Sequence, residues 1–224
     1  MFLEVRGFLD PAEIMRLSAL SRELKFVEGR LSNPANVTKN NMQADVFDAR
    51  YKESVQIVAN AFTRSREFRD FAFPKRIAPS LLSRYEPGMK YGAHADSALM
   101  SVTNSAATIL LRSDLSCTVF ISDPASYDGG ELVLHMGTLP VIIKGKAGEA
   151  FVYPSTMMHE VRPVHSGVRL VSITFIESLI ADEHCRTQLY ELKEVLALEG
   201  LKLDWVSRVR LELVSQNLTR MWSS

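Results

Sequence analysis

Apolar positions along this chain change period twice. In FLDPAEIMRLSALSREL, Ile14, Leu17, Leu20 and Leu24 recur at the three-to-four-residue spacing of a helix face. Asp10 stands where an N-cap is needed, Pro11 at the first helical position and Glu13 three residues past the cap, so a helix is expected to begin there. The polar, Asn-rich stretch FVEGRLSNPANVTKNNMQAD (26–45) reads as a loop. ESVQIVANAFTRSREFRDFA reads as a second helix, with Val55, Val58, Ala59 and Phe62 on its buried face.

After Pro74 the helical spacing gives way to short runs: SLLSRY, CTVFIS, ELVLHM, PVIIKG, AFVYPS, HEVRPV and VRLVSITFIE. They are rich in β-branched and aromatic residues and separated by turn chemistry such as SDPASYDGG and KGKAGE. Many short strands at this spacing predict a β-sandwich, jelly roll or barrel. The helical period returns beyond residue 180. Leu189, Leu192 and Leu196 share one face, and Leu211, Val214, Leu218 and Trp222 another. The expected layout is a β-rich α+β domain over 1–178, with a helical lead-in (1–72) and a β core (about 75–178), then a C-terminal helical extension (179–224). The apolar stripes of that extension suit packing on the core or on a second subunit, so a monomer or a homodimer fits.

Composition narrows the function classes. At 224 residues and 46% hydrophobic content, the chain can bury one large core and is not disordered. Lys+Arg and Asp+Glu balance at 26 each, which gives no electrostatic case for a nucleic-acid or anionic-membrane partner. There is no apolar run long enough to predict a membrane-spanning helix. The start MFLEVRGFLDPAE lacks a basic segment followed by an apolar one, so no secretory signal is expected there and a cytoplasmic location is. Cys117 and Cys185 fit no metal or redox spacing and read as reduced structural thiols.

Candidate chemistry begins at YGAHADSA (91–98). On a strand, His94 and Asp96 point to the same side, offering a nitrogen and an oxygen to one point. His-x-Asp alone is weak evidence. AFVYPSTMMHEV adds His159, and two histidines with one carboxylate form the facial donor set of a non-haem iron(II) site, its remaining positions open. Arg169 follows ten residues later among Val168, Leu170 and Val171. A planar guanidinium grips a carboxylate through two parallel hydrogen bonds, which suits the far end of 2-oxoglutarate chelated to iron by its keto-acid end.

RYEPGMKYGAHAD, SDLSCTVFISDP, YDGGELV and YPSTMMHEVRPVHSGVRLVS resemble the bacterial PKHD-type hydroxylases, in the prolyl/lysyl hydroxylase-like branch of iron(II)- and 2-oxoglutarate-dependent dioxygenases. EGR followed by KNNMQ, FPKRI and the ending NLTRMW are similar too. The resemblance implies a double-stranded β-helix (jelly roll) core with iron at one mouth. It implies His94, Asp96 and His159 as metal ligands, Arg169 as the 2-oxoglutarate clamp, Tyr85 beside the cosubstrate, O2 as oxidant and L-ascorbate as rereductant. The implied reaction hydroxylates an unactivated C–H bond of a peptide side chain or of a small molecule such as an amino acid or siderophore, with succinate and CO2 as coproducts. Asp96 speaks against a halogenase, in which a chloride takes the carboxylate's place.

Phe120 departs from the pattern. Animal protein-proline hydroxylases carry a tyrosine nearby that helps hold the far carboxylate, so Thr118 or Thr174 would have to assist Arg169 here. HADSA also replaces the more usual HVDNA, and the segment Ala98–Ser113 is expected at the substrate rim. Lys39, Asn40, Asn41 and Gln43 read either as a solvated loop or as a substrate-facing lid. Lys39, Asn41 and Tyr91 are the candidate substrate residues. Of Tyr85 and Tyr91, six apart around a Pro-Gly turn, one is expected to pack and the other to point its hydroxyl into the pocket. His135, His165 and His184 read as packed or surface residues, and Met157 and Met158 as core or pocket wall. Two rival readings are a non-catalytic iron or 2-oxoglutarate sensor on the same fold, and a cupin-like metal protein, in which Arg169 would have no role.

Overall fold

The computed structural model describes residues 1–33, 36–103 and 108–224. In chain order its strands are β1 (Leu3–Val5), β2 (Phe26–Glu28), β3 (Lys39–Asn40), β4 (Met42–Ala44), β5 (Pro74–Ile77), β6 (Leu81–Tyr85), β7 (Lys90–His94), β8 (Leu99–Thr103) and β9 (Thr108–Arg112). They continue as β10 (Leu115–Phe120), β11 (Tyr127–Gly129), β12 (Leu132–Met136), β13 (Leu139–Ile143), β14 (Ala150–Pro154), β15 (His159–Val161), β16 (Val164–Gly167) and β17 (Arg169–Ser178). The helices are α1 (Pro11–Glu23), α2 (Tyr51–Arg64), α3 (Arg66–Ala72), α4 (Glu183–Glu199) and α5 (Trp205–Trp222).

Two antiparallel sheets form the jelly roll. The larger has the order β1-β14-β10-β17-β6-β4-β2, with β5 also on β17; the smaller has the order β13-β12-β15-β7-β3. Strand alternation sorts the core into two layers. On β10, Leu115, Cys117 and Val119 face the helices, where they join Leu17, Leu20, Val58, Phe62 and Phe68. Ser116, Thr118 and Phe120 alternate with them on the other side of the strand. Phe120 packs there with Leu132, Leu134, Phe151, Tyr153 and Val171 from both sheets. All six β10 residues are buried, so the polar pair Ser116 and Thr118 sits inside an otherwise apolar wall.

The N-terminal lead-in differs from expectation in two places. α1 forms as anticipated, closed by a capping box: the Asp10 carboxylate accepts from the Glu13 amide at 2.9 Å, and the Glu13 carboxylate accepts from the Asp10 amide at 2.9 Å. The expected second helix is instead two. Ser65 is extended (φ −73°, ψ 105°), and its hydroxyl accepts from the Phe68 amide at 3.3 Å to cap α3. The hydroxyl competes with the helical backbone, and the break lets Phe68 pack on Phe62 with ring centroids 4.6 Å apart. Val58 and Phe62 are buried as expected, joined by Ser54 and Ala61, whereas Val55 and Ala59 stay half-exposed.

The second difference lies in the polar stretch 26–45, parts of which form strands instead of a solvated loop. It contributes β2 and β4 to the larger sheet and β3 to the smaller one. Lys39, Asn41 and Gln43 alternate inward and are only 5%, 4% and 9% exposed, while Asn40 faces solvent. Strands of two or three residues are too short to show an apolar period, and here the inward positions are polar.

At the other end, Asp182 and Asp204 cap α4 and α5. The helical hairpin is held at its base by Phe73, Ile180 and Leu189, with Tyr190, Leu218 and Trp222 against them. Ser224 ties down the end: its amide donates to the Leu179 carbonyl at 3.0 Å, and Lys75 donates to its carbonyl at 2.6 Å. Leu189 is buried and Leu192, Leu196, Leu211, Leu218 and Trp222 half-buried, but Val214 faces outward because Ser215 takes the inward position. Among the described residues, no helix is long and apolar enough to cross a membrane.

Candidate active site

The smaller sheet brings the distant histidines together. β7 and β15 are neighbours, with His94 directly opposite His159. The His94 Nδ1 lies 2.8 Å from the Gly92 carbonyl and the His159 Nδ1 lies 2.9 Å from the Met157 carbonyl. A carbonyl can only accept, so each Nδ1 carries the proton and each Nε2 is left free as a ligand. Asp96, two residues past β7, sets Oδ1 at 3.9 Å from His94 Nε2 and Oδ2 at 3.6 Å from His159 Nε2. One donor atom from each residue falls within 4.8 Å of the other two, a group that could hold a metal ion from one side. Burial, and then the neighbouring His159, push the His94 imidazole down to about 4, so it is neutral and able to coordinate at neutral pH.

Serines that the sequence reading did not single out hold the carboxylate. Ser116 Oγ donates to Asp96 Oδ2 at 2.6 Å. Ser155 Oγ lies 2.7 Å from Ser116 Oγ and accepts from Ser113 Oγ at 2.9 Å. The available signal was the pair Ser116 and Thr118 at alternate positions in the apolar run CTVFIS and just before it. Partners of this kind orient a metal-binding carboxylate, and losing one commonly costs about 10–100-fold in metal affinity. Ser116→Ala is therefore expected to weaken iron binding by about that factor while leaving the melting temperature of the metal-free protein within a few degrees. Anaerobic iron titration measures the first and thermal melting the second. Unchanged iron affinity would show that the chain does not orient Asp96.

Tyr91 lies flat on His94, with ring centroids 3.6 Å apart and planes within 16°. Its hydroxyl accepts from Asn33 Nδ2 at 3.2 Å. Lys39, directly across from Tyr91 in the β3–β7 pairing, places Nζ 5.2 Å from the Tyr91 ring centre and donates to Ser32 Oγ at 2.7 Å. Burial pulls its ammonium down to about 8, against the attraction of Asp96. Among the described residues it has no carboxylate within ion-pair distance.

A second polar centre lies further in, where β17 pairs with β6. Arg169 is opposite Tyr85 and is 1% exposed. Its guanidinium stands 5.0 Å from the Tyr85 ring centre and 5.6 Å from that of Phe120. Among the described residues, its Nε and Nη1 have no partner within 3.5 Å, nor do the hydroxyls of Tyr85 and Tyr127 or the amide of Asn41, although Tyr127 lies near Arg169 and Tyr85 near Asn41. Burial pushes the Tyr85 phenol up to about 12, with Arg169 and Asn41 acting in the opposite direction. Tyr127 also lies beside Arg169 and was missed in the sequence, where it reads only as part of a turn. Gly130 (φ +67°) makes room, since a Cβ there would stand 3.0 Å from Arg169 Cδ. A buried cation surrounded by unsatisfied donors is costly unless an anion completes it.

Thr174 is not available to assist Arg169. It lies on the opposite side of β17, where its hydroxyl donates to the Ala78 carbonyl at 2.6 Å. Thr118 faces the interior beside the Tyr153 phenol, which burial pushes upward. Of the two tyrosines around the Pro-Gly turn, Tyr85 is fully buried and Tyr91 stacks on His94. His135 is half-buried, 3.9 Å from Glu160, and His165 and His184 are exposed. Met157 packs against the inter-sheet core, whereas Met158 is exposed. Within the expected rim Ala98–Ser113, β8 pairs with β9 as a separate two-stranded sheet, and residues 104–107 lie outside the described residues.

The model of the 2OG-Fe(II) oxygenase superfamily matches residues 80–177, the stretch that carries all of His94, Asp96, His159 and Arg169. A PKHD-type hydroxylase of Sphingopyxis alaskensis is 47% identical over 197 residues, 88% of each chain. This chain belongs to the PKHD-type hydroxylases. It is an iron(II)- and 2-oxoglutarate-dependent hydroxylase, an oxidoreductase whose cofactors are Fe2+, 2-oxoglutarate and O2. A PKHD-type hydroxylase of Thermosynechococcus vestitus is 35% identical over 229 residues, covering all of this chain and 99% of its own. The jelly roll is shared with a solved prolyl hydroxylase of Trichoplax adhaerens, in complex with a hypoxia inducible factor peptide fragment. That likeness has a TM-score of 0.60 at 15% identity and covers 79% of this chain and 83% of the other.

Proposed function

We propose that this hydroxylase binds iron(II) through His94 Nε2, Asp96 and His159 Nε2, and holds the far carboxylate of 2-oxoglutarate on Arg169. The observation that carries the reading is the Arg169 guanidinium, buried without an anion among the described residues and with two unsatisfied nitrogens, on the sheet facing the two histidines, with Tyr153 near both it and Asp96. Bound iron supplies oxygen activation coupled to decarboxylation of 2-oxoglutarate, giving succinate, CO2 and a hydroxylated C–H bond. The chain's own residues do the positioning. Gly92 and Met157 fix the histidine tautomers, Ser116 aims Asp96, and Tyr91 shields one side of His94. Tyr85, Tyr127 and Asn41 offer further hydrogen bonds to the carboxylate beside Arg169. Thr118 lines the same space from β10, and ascorbate serves as the rereductant.

On this reading the substrate enters over Tyr91 and Lys39. A buried ammonium with no carboxylate partner favours a substrate bearing an anionic group, whether a peptide side chain or a small molecule. Lys39→Met is expected to leave iron and 2-oxoglutarate affinity within about twofold, as measured by calorimetry, because Lys39 is spent on substrate. A tenfold loss of 2-oxoglutarate affinity would move Lys39 to the cosubstrate instead.

The direct test is succinate formation from 2-oxoglutarate after anaerobic iron loading and exposure to O2, with and without ascorbate and without added substrate. Slow, iron-dependent succinate is expected. Tight binding of iron and 2-oxoglutarate with no succinate, even across a panel of anionic amino acids and peptides, would favour a sensor.

A further inference from the structure

The α4–α5 hairpin carries a surface that the catalytic chemistry does not use. Its two helices, of 17 and 18 residues, each run about 25 Å. The core holds them only near the base. Toward the tip the side chains turn apolar and outward: Leu198 is 70% exposed, Leu201 84% and Trp205 73%, with Val195, Leu203, Val206, Val209 and Leu213 also open. On α5, Trp205, Val206, Val209 and Leu213 share one face, opposite the face that Leu211, Ser215 and Leu218 turn inward. These eight side chains are each 38–84% exposed, whereas exposed large apolar residues on a monomer ordinarily stand singly.

We propose that the tip of this hairpin is the homodimer interface, α5 of one protomer packing on α5 of its partner about a twofold axis. Three observations select a second copy as the occupant. First, a stable interface buries about 800 Å² per partner, and eight large apolar side chains, 38–84% exposed within residues 195–213, offer a second copy such a face, with Trp205 the residue type that anchors it. Second, the charges around the patch balance, with Glu199, Asp204 and Glu212 against Lys202, Arg208 and Arg210. Lys202 pairs with Glu199 at 2.7 Å and Arg208 with Glu212 at 2.8 Å within the chain, so the face meets its own copy without repulsion. A lipid surface would instead select a basic rim. Third, the oxygenase family model ends at residue 177, before the hairpin begins, whereas the Thermosynechococcus relative aligns over all of this chain. Residues 179–224 thus lie beyond the family model yet within the stretch shared with that relative. An antiparallel hairpin meeting its twofold mate gives a four-helix arrangement, in which the outward face of α5 becomes interior.

Sedimentation velocity of the full-length protein over about 1–100 µM tests this. The expected species is twice the 25.1 kDa chain mass. Leu201→Glu with Trp205→Glu should return the chain mass while keeping the melting curve and iron-dependent succinate formation. Leu201→Gln with Val206→Gln should do the same by a milder change. A wild-type protein at the chain mass throughout, or a dimer that survives both pairs of substitutions, overturns the proposal. So does a monomer that co-sediments with neutral phosphatidylcholine vesicles through Trp205, which would assign the face to lipid.

Discussion

Arg169→Met is expected to abolish measurable saturation by 2-oxoglutarate while leaving the cofactor-free protein as stable as the wild type, or more so. The two effects have opposite signs for one reason. In the free protein the guanidinium is 1% exposed and has no counter-charge, with Nε and Nη1 unbonded. Such a group carries its desolvation cost without repayment, and an apolar side chain of similar volume removes that cost. On the proposed reading, the same group gives the bound cosubstrate a charge-assisted, two-point contact. Truncating one partner of a buried charged pair costs about 2–5 kcal/mol, so the apparent KM should rise by about 30-fold to several thousand-fold. Thermal melting with and without 2-oxoglutarate reads both effects at once. The ligand should raise Tm in the wild type by mass action and leave the variant unmoved. A variant that keeps both the KM and the ligand-induced shift would place the far carboxylate elsewhere.

Asp96→Ala should eliminate iron-dependent succinate formation altogether. Asp96 is the one carboxylate in the His94–Asp96–His159 group, and it stands between the two Nε2 atoms at 3.9 and 3.6 Å. Without it only the two imidazoles remain, and burial and its neighbour already push His94 down to about 4. No negative charge is then left in the donor set to offset a divalent cation. The loss of iron affinity should exceed the roughly 100-fold upper value typical of removing an outer partner such as Ser116. The fold should survive, because Ser116 keeps its contact with Ser155 at 2.7 Å. Anaerobic iron titration beside the succinate assay separates the outcomes. Retained turnover would exclude Asp96 as a ligand, and joint loss of iron binding and of the folded state would mean that Asp96 is structural.

The parts of this molecule legible in the chain are those with local causes. Asp10, Pro11 and Glu13 announce the start of α1 because a capping box is satisfied within four residues. The seven strand-like runs are legible because β-branched and aromatic residues between turn residues favour a pleated, half-buried surface. The pairing of His94 with Asp96 is legible from the motif, although β7 ends at His94 and the segment after it, not strand alternation, brings Asp96 to the same point; the motifs around them carry the family. The break at Ser65 was locally encoded but hidden, since Ser65 stands in a run whose apolar spacing continues on both sides.

What only the tertiary structure decided depends on residues far apart in the chain. Lys39, Asn41 and Gln43 look like a hydrated loop until β3 and β4 seat them in two sheets that the rest of the chain builds. Ser116 becomes the partner of Asp96, and Ser155 that of Ser116, only because β10 and β14 pair beside the end of β7. Tyr127 reaches Arg169 through a turn that gives no sign of it, and Thr174 is lost to the helix-side layer by the alternation of β17. The sequence by itself determined the period of each segment and the donor types, because these follow from side chains within a few residues of one another. The tertiary structure decided burial and partnership, because desolvation and hydrogen bonding depend on what the opposite sheet places across the gap.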